Sequence, residues 1–187
     1  MTEIEKQKSG EWYLCNDPEL KKIRANCNKL IFALNQLDNG RKAERFALQK
    51  EIFGQIQEGT NVKSSFQCDY GKHIYFGKNV FVNDDCVFLD SGKIEIEDNT
   101  FIGPQVGIYT VTHPFDVKER LAGIQKALPV HIGKNCWICG HVTINPGVTL
   151  GENVVVASGS VVTKSFGSHV LIGGVPARIL RDLEDAG

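Results

Sequence analysis

From about residue 60 onward one rhythm dominates this chain: a large apolar residue returns at every sixth position. It falls at Phe76, Val82 and Phe88, resumes at Ile96, Ile102 and Ile108, and resumes again at Ile132, Ile138, Ile144, Leu150, Val156 and Val162. A second series, two positions earlier, holds small or medium residues: Ile94, Thr100, Val106, Val130, Cys136, Val142, Val148, Val154 and Ser160. A fixed short period marks a solenoid, and hexads point to a parallel β-helix. Each hexad supplies a short strand and a turn. Three hexads close a triangular coil, and stacked coils bury the apolar columns in one continuous core.

The interruptions carry information of their own. From Phe88 to Ile96 the step is eight, which places two extra residues near Ser91-Gly92. From Ile108 to Ile132 the step is 24, four whole hexads, so the register survives an insertion. Residues 112–129, THPFDVKERLAGIQKALP, show no hexad pattern and read as a loop extruded from the solenoid. Long loops in compact domains are often functional.

Residues 1–58 follow a different, helical rhythm and form an N-terminal segment, with the β-helix and a C-terminal tail occupying 59–187. Asn16-Asp17-Pro18 is a helix start, in which Asp17 caps and Pro18 fits the first turn. Leu20, Ile23, Cys27, Leu30, Ile31, Leu34 and Leu37 then mark one apolar face, and Asp38-Asn39-Gly40 breaks the run. A second helix is expected with Ala43, Phe46, Ala47, Lys50 and Phe53 along one side. The segment reads as a cap over the end of the solenoid, with some contacts to substrate.

Composition narrows the function. The formal net charge is -1, without the basic surplus of a nucleic-acid partner. No apolar run approaches the ~20 residues needed to span a bilayer, so no membrane partner is expected. The first residues, MTEIEKQKSGEW, lack the apolar core of a signal peptide, and a cytoplasmic location is expected. The six cysteines then read as reduced thiols. Cys136-Trp-Ile-Cys139 has CxxC spacing, but no second pair or histidines stand at ligand distance, and no βαβ context surrounds it. The hexad register places Cys136 in the small inward column and Cys139 at a turn where other hexads carry Gly103, Gly133 or Gly151. No metal site is expected.

Several segments together resemble the maltose and galactoside O-acetyltransferases. They are FQCDYGKHIYFGKNVFVNDDCVFLD, YTVTHPFD, VHIGKNCWICGHVTINPGVTLGENVVVASGSVVTK and GGVPARIL, with the arm GEWYLCNDPELKKIR. The hexads are shared by many acyltransferases, but FVNDDC, THP, NPGVTLG and GVPAR in this order are far more specific. The resemblance implies a left-handed parallel β-helix with an N-terminal helical segment. It also implies transfer of an acetyl group from acetyl-CoA to a sugar hydroxyl, in homotrimers whose active sites lie between subunits.

His113, in Thr112-His113-Pro114, matches the family's catalytic position. Imidazole suits a general base near neutral pH, and Pro114 biases His113 toward an extended backbone. Of the other histidines, His73 and His131 read as solvated, His141 as a surface residue that could face the coenzyme groove, and His169 as part of the terminal loop. Asn83 matches a residue near the acetyl group. Asp69, Phe81 and Ser91 match acceptor contacts, and so does the position of Cys15. Galactoside-type relatives carry acids where this chain has Cys15 and Ser91, so FQCDYG looks closer to the maltose type, and Asp90 could supply a carboxylate beside Ser91. Trp137, Gly140, Ser158, Thr163, Lys164, Arg178 and Arg181 match coenzyme contacts, the basic residues suiting CoA phosphates. Three other readings stay open on sequence: a serine or antibiotic hydroxyl as acceptor, a zinc-dependent β-helical carbonic anhydrase, and a non-catalytic scaffold.

Overall fold

The computed structural model describes residues 1–183, so the last four residues of the tail lie outside the described residues. The hexads wind into a parallel β-helix with three flat faces. The first face stacks Gln55–Ile56, Ile74–Phe76, Ile94–Ile96, Val130–Ile132 and Thr149–Leu150. The second stacks Asn61–Val62, Phe81–Val82, Phe101–Ile102, Trp137–Ile138, Val154–Val156 and Val170–Gly174. The third stacks Gln67–Cys68, Val87–Leu89, Gly107–Tyr109, Thr143–Ile144 and Val161–Val162. Every residue of both predicted columns is buried. Because each coil repeats the register of the last, Phe81 lies beside Phe101 and Phe101 beside Trp137 on the outside of the second face.

Corners close tightly enough to need left-handed backbone. Between the first and second faces, Asn79, Asn99, Asn135 and Asn153 all take positive φ, a conformation that asparagine tolerates. The amides of the first three form a ladder that ends on Glu152. Asn79 Nδ2 donates to Asn99 Oδ1 at 3.1 Å, Asn99 Nδ2 to Asn135 Oδ1 at 3.3 Å, and Asn135 Nδ2 to Glu152 Oε1 at 3.1 Å.

The N-terminal segment holds α1 (Glu3–Ser9), α2 (Pro18–Gln36) and α3 (Lys42–Ile52). Asp17 caps α2 as expected, its Oδ1 accepting from the N–H groups of Glu19 and Leu20. Helices α2 and α3 cover the open end of the first coil. The first coil would otherwise leave strand-edge groups unpaired. Val62 O accepts from Arg45 and Gln49 at 2.9 Å each, and the Asn35 amide takes both the N–H and the C=O of Phe66. Phe53 then packs edge-on against Phe66 and Phe76 at the bottom of the core.

Three expectations are corrected here. The inward side of α3 is Arg45, Gln49 and Ile52; Ala43, Ala47 and Lys50 are exposed. Arg45 is buried because its guanidinium meets the carbonyls of Leu34 and Leu37 at the end of α2, which carries no basic residue in its last turn. Next, residues 1–58 are not wholly helical: α1 precedes a strand, Trp12–Leu14. Finally, the insertion at 112–129 is ordered. It contains α4 (Val117–Leu121) and a strand, Ile124–Ala127, that lies antiparallel between Trp12–Leu14 and Val111–Thr112. A satellite core of Tyr13, Leu20, Tyr70 and Ala127 backs this small sheet. The C-terminal strand Ala177–Asp182 folds back antiparallel on Val170–Gly174 and ends the second face.

Candidate active site

The predicted residues gather on two different edges of the prism. The edge between the third and first faces carries Asp69, Ser91, Thr163 and Lys164, each following a strand of the third face, and His113 at the root of the insertion. His113 follows Val111–Thr112 and is exposed. Its Nδ1 lies 3.2 Å from Ile124 O. A carbonyl can only accept, so Nδ1 carries the proton and the neutral ring presents Nε2 as a lone pair. The insertion thus returns along its own strand to fix the tautomer of the histidine at its root. Gly123 makes that return possible: at φ +82°, an added Cβ there would stand 2.7 Å from Asn16 Nδ2 and 3.3 Å from Cys15 Sγ. Cys15 is half-buried beside it, its N–H donating to Gly123 O at 2.9 Å.

At the Asp69-Tyr70 turn runs a part-buried polar chain that the sequence reading missed. Arg24 donates to Tyr70 Oη and to Cys15 O, and its guanidinium lies over the Tyr70 ring. Burial raises the Asp69 carboxyl above its usual range, and Arg24 opposes the rise. The only sequence signal for Arg24 is its place one turn after Leu20 on α2; its partners come from distant segments. His73 is likewise not solvated. It stacks on Tyr70 with ring centroids 5.0 Å apart, its Nδ1–H donates to Asp90 O at 2.7 Å, and burial lowers its pKa. His131 is half-buried between Glu95 and Glu97.

Asp90 does not present a carboxylate to solvent. It is fully buried, and its Oδ1 accepts from the N–H groups of Asp69 at 2.9 Å and Tyr70 at 2.8 Å. Oδ2 has no partner. Burial pushes this carboxyl up to about 7. The two-residue insertion at Ser91-Gly92 turns Asp90 inward to hold the Asp69-Tyr70 turn, and Ser91 is itself only 4 % exposed.

The edge between the second and third faces carries Asn83, Gly140 and Ser158, with Phe81 and Trp137 on the adjoining strands. A cleft of about 300 Å³ is lined by Phe81, Asn83, Phe101, Ile102, Gly103 and Trp137. Phe101 and Trp137 are 55 % and 54 % exposed, unusual for aromatic residues stacked on a sheet. Ser158 is exposed and hydrogen-bonds Cys139. Cys136 is buried in its column, its Sγ donating to Gly151 O at 3.1 Å, so the two cysteines are parted by the repeat. His141 is exposed at the same edge in left-handed backbone. Among the described residues no three His, Cys, Asp or Glu side chains gather as a metal-binding group. No described helix is long and apolar enough to cross a membrane.

The basic candidates lie near the C-terminal end of the prism. Lys164 is exposed with its Nζ over the Phe166 ring, and Arg178 and Arg181 project from the strand Ala177–Asp182. His113 and Asn83 therefore sit on opposite sides of the third face.

The comparisons with known proteins agree with this fold. Residues 6–57 match the maltose acetyltransferase hexapeptide capping motif, and residues 129–164 match six repeats of the bacterial transferase hexapeptide. A maltose O-acetyltransferase from Clostridium difficile 630 superposes with a TM-score of 0.95 at 43% identity, covering 99% of both chains. The chain belongs to the maltose and galactoside family of hexapeptide-repeat acetyltransferases. A hexapeptide-repeat acetyltransferase from Vibrio cholerae O1 biovar eltor, solved with acetyl coenzyme A, matches at TM-score 0.91 and 40% identity over 99% of this chain and 100% of that one. A galactoside acetyltransferase in complex with coenzyme A matches at TM-score 0.94 and 32% identity, over 99% and 92%. In this acetyltransferase the match spans the N-terminal segment as well as the solenoid, so the sheet that links the arm to the insertion lies within the shared architecture.

Proposed function

We propose that this acetyltransferase moves the acetyl group of acetyl-CoA to a hydroxyl of a sugar, with His113 as general base, at sites formed between neighbouring copies in a homotrimer. The observation that carries this reading is the His113 ring: its Nδ1–H is engaged by Ile124 O, which leaves Nε2 to accept a proton, with no partner for it among the described residues. A sugar hydroxyl becomes an effective nucleophile as its proton passes to Nε2. Its oxygen attacks the thioester carbonyl, the tetrahedral adduct collapses, the C–S bond breaks and the proton returns to the departing CoA sulfur. Holding both substrates together lowers the entropic cost of the attack and needs no acyl-enzyme.

The two half-sites support a shared centre. Within one chain His113 stands on one edge, while Asn83 and the aromatic cleft of Phe81, Phe101 and Trp137 stand on another. Closed cyclic assembly of a triangular prism brings one edge of each copy against another edge of the next. Among the exposed apolar side chains, Phe115 at 99 %, Leu121 at 81 % and Val117 lie in the segment after His113, and Phe101 and Trp137 line the cleft with Asn83. Lys164, Arg178 and Arg181, with Thr163, Gly140 and Ser158, suit a phosphate-bearing pantetheine ligand running along the seam. Asp69, Ser91, Phe81 and Cys15 frame the acceptor, with the 1–58 segment as the cap that brings Cys15 there. Acetyl-CoA as donor fits work in the cytoplasm.

The test is thiol release from acetyl-CoA against a panel of mono- and disaccharides, with serine and antibiotic alcohols alongside and the ester located by mass spectrometry. Sugar-dependent release supports the reading. Release only with the other alcohols, or release unaffected by His113→Ala, overturns it.

A further inference from the structure

The amide of Asn83 has two ends of opposite hydrogen-bonding sense, and the structure settles which end faces which way. Asn83 Oδ1 lies 2.9 Å from the backbone N of Asp84 and 3.2 Å from Lys63 Nζ. A backbone N–H and an ammonium can only donate. The atom facing them is therefore the amide oxygen, and a flipped amide would set its NH₂ against two donors. Nδ2 is left without a partner among the described residues.

Lys63 owes its place to the repeat. Val62 lies beside Val82, so Lys63 occupies the rung beneath Asn83, and its backbone N–H donates to Val82 O at 3.0 Å. Its ammonium is also paired with Asp84, which anchors it under the Asn83 turn. The rung above is Gly103, where an added Cβ would stand 2.6 Å from Gly140 N and 2.8 Å from Cys139 C. With a lysine below and no side chain above, the cleft of about 300 Å³ opens at Asn83 between Phe101 and Trp137.

We propose that Lys63 is a positioning residue, which holds the Asn83 amide so that its Nδ2–H donates into the cleft toward the acetyl oxygen of acetyl-CoA. This rests on the acetyl-CoA reading above. A donor aimed at the carbonyl oxygen polarises the thioester and stabilises the oxygen as negative charge develops on it. Lys63 touches neither substrate and acts through Asn83.

Lys63→Met keeps the stem and removes the donor; Lys63→Arg restores one. Lys63→Met should lower kcat by about three- to tenfold, less than loss of a whole oxyanion donor because Asp84 N–H still holds Oδ1. Its Kd for acetyl-CoA, read by titration, should stay within about twofold of wild type, since the phosphate contacts are untouched. Lys63→Arg should regain most of the lost turnover. Adding Lys63→Met to Asn83→Ala should cost nothing more, because coupled residues fail to add. Unchanged kcat in Lys63→Met, no rescue by arginine, or additive losses would each overturn the proposal. The infrared carbonyl band of bound acetyl-CoA, labelled with ¹³C at the carbonyl, gives a second readout. The band should lie lower in wild type than in Lys63→Met, and Asn83→Ala should abolish that difference. If the protein binds acetyl-CoA but acetylates no hydroxyl, the proposed reaction falls while the band still decides the role of Lys63. Identical bands in all variants, or no binding of acetyl-CoA, overturn it.

Discussion

Two edges of the same prism are built from the same hexads and serve opposite ends. The edge at Asn83 is regular: every rung keeps its length, and the cleft opens because one rung holds Gly103. The edge at His113 is irregular: extra residues follow Asp69 and stand at Ser91-Gly92, and the long insertion follows His113. Regularity yields a continuous groove suited to an extended ligand. Interruption yields the buried Asp90 carboxyl, an imidazole hydrogen-bonded to Ile124 O and a small antiparallel sheet. A solenoid fills its interior with side chains, so a ligand is left its edges and faces, and the proposed reaction divides its work between two edges.

The sharpest way to break that division is at His113. His113→Ala should leave the fold intact and lower turnover by about 100-fold or more, the scale of a lost general base. Steady-state kinetics with a check of oligomeric state measures it, and near-normal turnover would remove the third–first edge from the chemistry. The next test asks whether the two edges of one site come from different copies. His113→Ala and Trp137→Ala, each impaired alone, are unfolded and refolded together so that trimers assort at random. About a quarter of the seams then receive both intact partners, and activity should rise toward that fraction. If heterotrimers form and stay inactive, either the site lies within one copy or this pair sits on the same side of the seam, and mixing His113→Ala with Asn83→Ala distinguishes the two.

A smaller effect separates coenzyme from acceptor. Lys164→Ala or Arg178→Ala should weaken acetyl-CoA binding by about tenfold, as loss of one charge-assisted contact does, with little change in the Michaelis constant for the sugar. A loss confined to the sugar would return both residues to ordinary surface. The smallest effect concerns Asp90. Its folded pKa is raised to about 7 by burial, so its contribution to stability is fullest below the unfolded carboxylate value and is lost as pH rises through about 7. His73, lowered by burial, works in the opposite sense as pH falls. The difference in Tm between wild type and Asp90→Asn isolates the carboxyl. Between about pH 5 and 7.5 it should move against wild type by roughly 5 °C, a few kcal/mol for a chain of this size. A difference that stays constant with pH would show that Asp90 keeps one charge state.

What could be read from the sequence divides along similar lines. The solenoid columns were legible because each hexad reports its own burial, and Asp17-Pro18 announced α2 through local capping chemistry. The strand Trp12–Leu14 was not, because its partner lies in the insertion; Tyr13 and Gln125, hydrogen-bonded in the structure, are 112 residues apart. No periodicity spans that distance. The buried side of α3 was misread for a related reason: Arg45 is polar by composition, but it is called inward by backbone carbonyls of α2 that no pattern displays. In the site, His113 and Asn83 could be placed because their motifs resemble a known family. Arg24 and Lys63 act through neighbours that only the folded chain brings together.

The side-chain cover over the first coil has a consequence for the chain's behaviour in bulk. A stacked β-helix has no intrinsic length: any exposed coil is a template on which another can pair, and identical prisms laid end to end would grow into a fibre. Asn35, Arg45 and Gln49 occupy the hydrogen-bonding positions that an incoming coil would use. The N-terminal helices thus act as a growth terminator, and keeping the protein a discrete particle depends on three polar side chains reaching down from two helices.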